Sequence, residues 1–252
     1  RLLVSVAPQH KRKSLGPRQD FAVKNSHAAA GNAPHPRAGQ AMTGAEIIVQ
    51  VLADEGVDTI FGYSGGAILP TYDAVFRWNQ EQSGPGGKPM PLIVPANEQG
   101  AGFMAAGYAR ASGRVGVCIV TSGPGATNTV TPVRDCAADS VPIVVICGQV
   151  PTAAIGSDAF QEAPVPNIMG AVAKHCFLVT DPTRLEATVR TAFEIARTGR
   201  PGPVVIDIPK DVQNWQGTYQ GEGHLDVRGY RQRMNALRSN AVKDDECEAF
   251  FA

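Results

Sequence analysis

The sequence lacks several features that would point to particular classes of protein. No apolar run approaches the roughly 20 residues that a membrane-spanning helix needs. The five cysteines contain no Cys-x-x-Cys pair and the five histidines are scattered. This spacing predicts buried, reduced thiols, and it argues against a metal site built only from side chains of this chain. A membrane protein, a disulfide framework and a metal-binding module are therefore not expected.

Two glycine-rich phosphate fingerprints are also missing. No Gly-x-Gly-x-x-Gly opens a helix in the first predicted strand–helix unit, and no Gly-x-x-x-x-Gly-Lys followed by Ser or Thr occurs. A cradle for a dinucleotide or a nucleoside triphosphate in this domain therefore has little support.

The composition is that of an ordinary globular protein whose charge is unevenly placed. The 252 residues are 43% hydrophobic and carry 23 basic and 23 acidic side chains, enough for one large domain with appendages. Residues 1–41 are basic and lack periodicity, which predicts a disordered leader. An organellar transit peptide fits this composition, a mis-started leader before Met42 fits equally, and Lys-Arg-Lys at 11–13 leaves nucleic-acid binding as a third reading.

From Met42 onward, strand-like and helical segments alternate. The strand-like runs are rich in Val and Ile with little polar alternation, which indicates burial on both faces. Because helical patterns separate them, the order predicts an α/β domain with a doubly wound, mainly parallel six-stranded sheet and helices on both faces. The predicted strands are 57–61, 91–95, 114–121, 141–148, 176–180 and 200–209.

The same pattern gives the domain boundaries. The α/β domain is predicted over 42–212, and 213–252 is predicted to be a linker and the truncated start of a further domain. Residues 149–175 form a long proline-containing stretch, which predicts a functional loop or short helices over a site.

Four glycine- or proline-bearing loops follow the first four predicted strands. They read GYSGGA (62–67), ANEQGA (96–101), TSGPGATN (121–128) and GQVPT (148–152). Ligands of open parallel sheets bind at the carboxyl ends of the strands, so these loops predict a binding site. Their spacing alone is equally compatible with tight turns.

Glu98 is a lone carboxylate between an apolar run and a stretch of small residues. One interpretation is structural: Asn97 caps a helix, and an acid in its first turn gains about 0.3–1 kcal/mol from the helix dipole. The other is functional, because catalytic carboxylates share this strand-end, apolar setting. The residues alone leave both open.

Five segments carry a resemblance to a known family: GYSGGAILPTYD, ANEQGAGFMAAGYARASG, VTSGPGATNTVTPVRD, CGQVPTAAIGSDAFQEAP and GRPGPVVIDIPKDVQ. In this order they closely resemble the N-terminal, pyrimidine-binding domain of the acetolactate (acetohydroxyacid) synthase large subunit. The resemblance covers about residues 42–215. It implies thiamine-diphosphate-dependent decarboxylation of pyruvate and condensation with a second 2-oxo acid, pyruvate or 2-oxobutyrate, in valine, leucine and isoleucine biosynthesis.

The resemblance also implies roles for individual residues. Glu98, the expected catalytic residue, matches the glutamate that bonds N1′ of the aminopyrimidine and favours the imino tautomer, whose 4′-imine removes the C2 proton. The other matches fall into four groups: Tyr63, Gly65, Gly66 and Ala67 beside the thiazolium; Pro124, Asn128 and Gln161 near the cofactor; Arg200 touching FAD; and Pro151, Ala159, Phe160 and Lys210 in the substrate channel.

Mg²⁺ and FAD are bound mainly by a C-terminal and a middle domain of the family, whose patterns this chain lacks. Each site joins domains of two subunits, so the chain alone is expected to hold half a site and to be inactive. A homodimer or tetramer through this domain and a regulatory small subunit are the expected protein partners, with no nucleic acid or membrane.

Two departures from the family stand at the site. Ser64 replaces a common Pro, and Asn97 replaces a common His, which leaves the glutamate role intact but puts substrate preference in doubt. The alternatives are another thiamine-diphosphate decarboxylase or carboligase of 2-oxo acids, and a non-catalytic pairing module. The expected location is the bacterial cytoplasm, or a plastid or mitochondrion if residues 1–41 are a transit peptide.

Overall fold

A computed structural model describes residues 34–227 and residue 230. Most of the predicted leader, Cys247 and the helical pattern at 243–252 lie outside these residues. Residues 34–41, within the predicted leader, are ordered: a turn at 36–39 leads into a strand at Ala41. This strand is held because it pairs with a second strand at Gln216–Thr218.

The central sheet has six strands, and every neighbouring pair is parallel. All six predicted strands are present, although the first lies at 60–63 rather than 57–61. The strands are β2 (Ile60–Tyr63), β3 (Leu92–Ile93), β4 (Gly116–Val120), β5 (Ile143–Gln149), β6 (His175–Leu178) and β7 (Val204–Pro209); β1 (Ala41–Thr43) and β8 (Gln216–Thr218) form a separate antiparallel pair. The six strands of the central sheet lie in the order β3-β2-β4-β5-β7-β6, which confirms the doubly wound prediction.

Helices cover both faces of the sheet, and each face has its own buried core. The alternation within the strands divides the side chains between them: Val117 and Ile119 face one core, whereas Cys118 and Val120 face the other. One face carries α1 (Gly44–Asp54), α2 (Leu69–Glu81), α7 (Leu185–Arg197) and α8 (Lys210–Asn214); the other carries α3 (Glu98–Ser112), α4 (Pro124–Thr127), α5 (Val130–Asp139) and α6 (Val165–Gly170).

Local signals fix the ends of these helices. Thr43 Oγ1 accepts the Glu46 amide at 3.1 Å, and the Glu46 carboxylate accepts the Thr43 amide at 2.8 Å, a reciprocal cap at the amino end of α1. The helix that the sequence predicts after the glycine turn at 122–128, ending at about Asp139, is α5, and the turn itself contains the separate short helix α4. Asn128 and Thr129 separate α4 from α5, and Pro132 is the third residue of α5, where its missing N–H is tolerated.

A buried polar network ties the end of β8 to helices α1 and α7. Arg190 lies between Asp54, at 2.7 Å, and Glu186, at 3.2 Å, and also donates to the Tyr219 hydroxyl. Burial opposes ionisation of Asp54, but hydrogen bonds from Tyr219, Arg190 and Gln50 outweigh it and lower its pKa. No helix within residues 34–227 is long and apolar enough to cross a membrane.

Candidate functional site

The candidate site lies where the direction of the sheet reverses. The chain goes from β2 to β3 on one side and then returns to β4 on the other side of β2. Helix α2, in the first crossover, and α3, in the second, lie on opposite faces. The crevice outside the carboxyl ends of β2 and β4 is the position at which open α/β sheets bind ligands.

Glu98 opens helix α3 at this crevice and is only 9% exposed. Its own helix is capped by the neighbouring Asn97, whose Oδ1 accepts the Gly100 amide at 2.8 Å. Glu98 Oε2 instead accepts a hydrogen bond from Asn128 Nδ2 at 2.9 Å. No described residue forms a hydrogen bond with Oε1, so one carboxylate oxygen is oriented by the protein and the other is free to accept.

Thr121 directly follows β4 and lies beside Glu98, between two glycines. A Cβ on Gly65 would lie 2.5 Å from Thr121 Cβ, and a Cβ on Gly125 would lie 2.6 Å from Thr121 Cγ2 and 3.5 Å from Glu98 Oε1. Thr121 Oγ1 is buried and has no hydrogen-bond partner among the residues that the structure describes. Nothing lies within 4 Å of a Cβ on Gly66, so the surface opens there.

The remaining predicted cofactor residues border this surface. Tyr63 ends β2, and its side chain is partly exposed. Pro124 opens the short helix α4, and Asn128 ends it, which brings its amide to Glu98. The carbonyl of Gln161 packs on Gly123, where a Cβ would meet it at 2.3 Å. The structure therefore gathers these residues around one crevice, with Gly65, Gly66 and Ala67 on its β2 side.

The predicted channel residues lie at the next strands of the same sheet edge. Pro151 follows β5 and Lys210 follows β7, and these two strands are neighbours with Gln149 opposite Pro209. Asp211 joins the two segments by accepting the Thr152 amide at 3.0 Å. Ala159 and Phe160 belong to the loop between β5 and α6, and the Phe160 side chain is 88% exposed.

Arg200 is not brought together with the other predicted site residues. It precedes β7 and therefore lies at the amino ends of the strands, opposite the crevice. Its guanidinium donates to Ser140 Oγ at 2.8 Å and to the Ala138 carbonyl at 2.9 Å. These contacts fix the end of α5, so contact with FAD remains a prediction.

Sequence reasoning missed three buried polar residues near the crevice. Thr121 is the last residue of a predicted strand, so its place at the carboxyl end was available as a signal. Asp207 is a lone acid in the apolar strand VVIDIP, the same kind of signal that singled out Glu98. Gln213 gave no signal; it is fully buried and donates to the carbonyls of Ala67 and Ile208.

Two adjacent glycines give a matched test of this packing. Gly65→Ala is expected to lower the free energy of unfolding by about 1–3 kcal/mol, because its methyl group would overlap the buried Thr121 side chain. Gly66→Ala meets no atom within 4 Å and is expected to change it by less than about 1 kcal/mol. Urea denaturation of both variants measures the difference. Equal stability of the two would contradict the packing of Gly65 against Thr121.

Comparison with known proteins places these features in a family. Residues 42–170 match the family model described as the N-terminal TPP binding domain of thiamine pyrophosphate enzymes.

Within residues 34–227, no group of three or more His, Cys, Asp or Glu side chains is placed to hold a metal ion.

Named relatives share the same segment at high identity. The chain is 48% identical over 190 residues to the acetolactate synthase large subunit of Corynebacterium glutamicum, covering 75% of this chain and 29% of that protein. It is 52% identical over 171 residues to the mitochondrial acetolactate synthase catalytic subunit of Saccharomyces cerevisiae, covering 68% and 24%. With the chloroplastic acetolactate synthase of Arabidopsis thaliana it shares 43% over 195 residues, covering 77% and 28%.

The chain thus spans only about a quarter to a third of the length of these relatives. The matched region nevertheless contains β2 to β5 and the whole Glu98 crevice. The sheet order agrees with the six-stranded fold that the sequence predicts. On these grounds, the chain belongs to the family of N-terminal TPP-binding domains of thiamine pyrophosphate enzymes.

Proposed function

We propose that this chain is the N-terminal, pyrimidine-binding part of an acetolactate synthase large subunit. The reaction is the thiamine-diphosphate-dependent decarboxylation of pyruvate and condensation with a second 2-oxo acid. The observation that carries the proposal is Glu98, a nearly buried carboxylate with one oxygen held by Asn128 and the other free. The names of the relatives support the same activity.

The residues of the crevice fit an aminopyrimidine ring. Glu98 Oε1 offers an acceptor, and Thr121 Oγ1 offers a buried hydroxyl that has no hydrogen-bond partner among the described residues. Gly65, Gly66 and Gly125 keep the intervening surface free of side chains, so a flat ring can approach the backbone. When bound, thiamine diphosphate supplies a thiazolium ring that can accept the electron pair left by decarboxylation.

Glu98 has the role of holding a proton against the bound ring. The Asn128 amide donates to Oε2 and thereby directs Oε1 towards a ring nitrogen. Because the Glu98 side chain is nearly buried, a proton shared between Oε1 and that nitrogen meets little competition from solvent acceptors. Asn97 has the separate role of capping α3.

The second 2-oxo acid is expected to enter along the loop from Pro151 to Gln161. Lys210 supplies a positive charge for its carboxylate, and Phe160 and Ala159 supply apolar surface for its alkyl group. Asp211, which binds Thr152, keeps the loop beside Lys210. We assign Mg²⁺ and FAD mainly to domains outside this chain, with Arg200 as a peripheral FAD contact.

The proposed assembly is a homodimer or tetramer through this domain, with a regulatory small subunit as a further partner. Helix α3 carries two exposed apolar side chains, Phe103 and Met104, which supports pairing of this face. For the compartment, two alternatives stand: the cytoplasm, or an organelle if residues 1–41 are a transit peptide. The names of the yeast and Arabidopsis relatives, mitochondrial and chloroplastic, support an organelle.

A chimera tests the function without the missing domains. Residues 42–212 replace the matching segment of the S. cerevisiae catalytic subunit, to which the chain is 52% identical. The purified chimera is expected to form acetolactate from pyruvate when thiamine diphosphate, Mg²⁺ and FAD are supplied. Acetaldehyde as the main product would favour the alternative of a simple decarboxylase. A folded, assembled chimera without any product would favour a non-catalytic pairing module.

A further inference from the structure

The loop between β5 and α6 carries two strained residues beside an exposed aromatic side chain. Asp158 has a φ of 56° and Gln161 a φ of 59°, a left-handed conformation that residues with a side chain rarely adopt. Phe160 lies between them and projects into solvent. Backbone strain of this kind persists only where the surrounding structure fixes it, so something must hold this loop.

Gln149, the last residue of β5, holds both ends of the loop. Its Oε1 accepts the Val150 amide at 2.8 Å, and its Nε2 donates to the Ala163 carbonyl at 3.1 Å. The same Nε2 donates to Asp207 Oδ2 at 2.9 Å. One side chain that is only 2% exposed therefore ties the start and the end of the loop to strand β7.

The carboxylate of Asp207 lies in an unfavourable environment within the sheet. It is completely buried in β7 among Val and Ile neighbours, and its Oδ1 has no hydrogen-bond partner in the described part of the chain. No Lys, Arg or His within that part forms an ion pair with it. A buried carboxylate without a cation destabilises the fold, so the sheet alone gives no reason for an acid here. The hydrogen bond that Asp207 accepts from Gln149 does give such a reason.

We propose that Gln149 and Asp207 are positioning residues that set the conformation of the loop from Val150 to Ala163. By fixing both loop ends, they hold Phe160 outward and press the Gln161 carbonyl onto Gly123 at the edge of the crevice. The effect on loop order follows from this chain alone. The consequence for 2-oxo acid binding rests on the proposed function.

Hydrogen exchange followed by mass spectrometry on the 252-residue chain tests the loop order. Gln149→Leu keeps the size of the side chain but cannot donate, so amides at 152–162 are expected to exchange about tenfold faster, while those of β5, β7 and α7 keep their rates. Asp207→Asn keeps an oxygen that accepts from Gln149, so its loop is expected to exchange within about twofold of the wild type.

Two outcomes overturn the proposal. One is wild-type exchange of the loop in a folded Gln149→Leu variant. The other is a global loss of protection both in Gln149→Leu and in a second variant, Gln149→Met, which would make Gln149 a core residue without a specific effect on the loop.

Kinetics of the chimera test the catalytic consequence. Gln149→Leu is expected to raise the KM for pyruvate about tenfold and to leave kcat within about twofold, because the loop carries the proposed channel residues, whereas Glu98 and its partner Asn128 lie outside it. A loss confined to kcat would overturn this consequence. If the unmodified chimera has no activity, the proposed function fails, whereas the exchange experiment still decides whether Gln149 positions the loop.

Discussion

Glu98→Gln in the chimera is expected to lower kcat for acetolactate formation by about 10²–10⁴-fold, the usual contribution of a proton-transferring side chain. Gln keeps the length of Glu98 and retains one oxygen, which accepts from Asn128. The other terminal atom becomes an NH₂ donor where the structure has the free acceptor Oε1. A bound ring nitrogen carrying a proton then faces a donor, so no proton can be shared. The rate of acetolactate release measures the effect.

Asn97→Ala is the matched control for this prediction. It removes the cap of α3, whose Oδ1 accepts the Gly100 amide, and is expected to lower the free energy of unfolding by about 1 kcal/mol. Its kcat is expected to stay near that of the unmodified chimera, because the Glu98 side chain keeps its contact with Asn128. Full activity in Glu98→Gln, or an equal loss in both variants, would contradict a catalytic role and leave Glu98 with only a structural role at the start of α3.

The strands and helices could be predicted because their signals are local. Apolar runs such as VPIVVICG have no polar alternation, and Thr43 and Asn97 stand at helix starts with side chains that can accept a nearby amide. Glu98 could be singled out for the same reason, since its chemistry contrasts with its immediate neighbours. These features need no knowledge of which strands lie side by side.

The rest of the site depends on contacts between distant segments. The hydrogen bond between Gln149 and Asp207 requires that β5 and β7 be neighbours in one register, and β6 lies between them in sequence. The packing of Thr121 against Gly65 likewise requires that β4 lie beside β2. Local pattern fixes neither pairing, so these residues were found only in the structure.

Arg200 shows where a resemblance needs a geometric check. Arg200 precedes β7 in the sequence, so it is expected to lie at the amino ends of the strands, on the edge of the sheet opposite the predicted site. The structure agrees, and it gives the guanidinium three partners near the end of α5. Contact between Arg200 and FAD therefore requires that the middle domain reach this opposite edge of the sheet. The sequence resemblance alone does not show this requirement.

Asp207→Asn is expected to stabilise the chain increasingly as the pH rises from 5 to 7. Burial raises the pKa of Asp207 to about 7 from its ordinary value of 3.8, and the hydrogen bond from Gln149 only partly offsets this. Between these two values the folded state holds a proton that the unfolded state has lost, so the folded form is favoured less at each higher pH. Below pH 4 both states are protonated, and above pH 7 the full penalty is present.

The size of the effect follows from the shift in pKa. One pKa unit corresponds to about 1.4 kcal/mol, so the difference between the variant and the wild type is expected to grow by about that much per pH unit between pH 5 and 7. The difference in free energy of unfolding is expected to level off at roughly 4 kcal/mol above pH 7. Asn resembles the protonated carboxyl group and does not titrate, and it keeps an oxygen for Gln149.

Urea denaturation of both proteins at pH 5, 6, 7 and 8 measures this difference. The neighbouring thiols of Cys147 and Cys176 do not titrate in this range, because burial raises the pKa of both, that of Cys176 to about 12. Other groups, such as Asp54 with its lowered pKa, titrate in both proteins and cancel in the comparison. A difference that stays constant from pH 5 to 8 would mean that Asp207 is charged throughout. A partner outside the described residues would then have to stabilise the buried carboxylate.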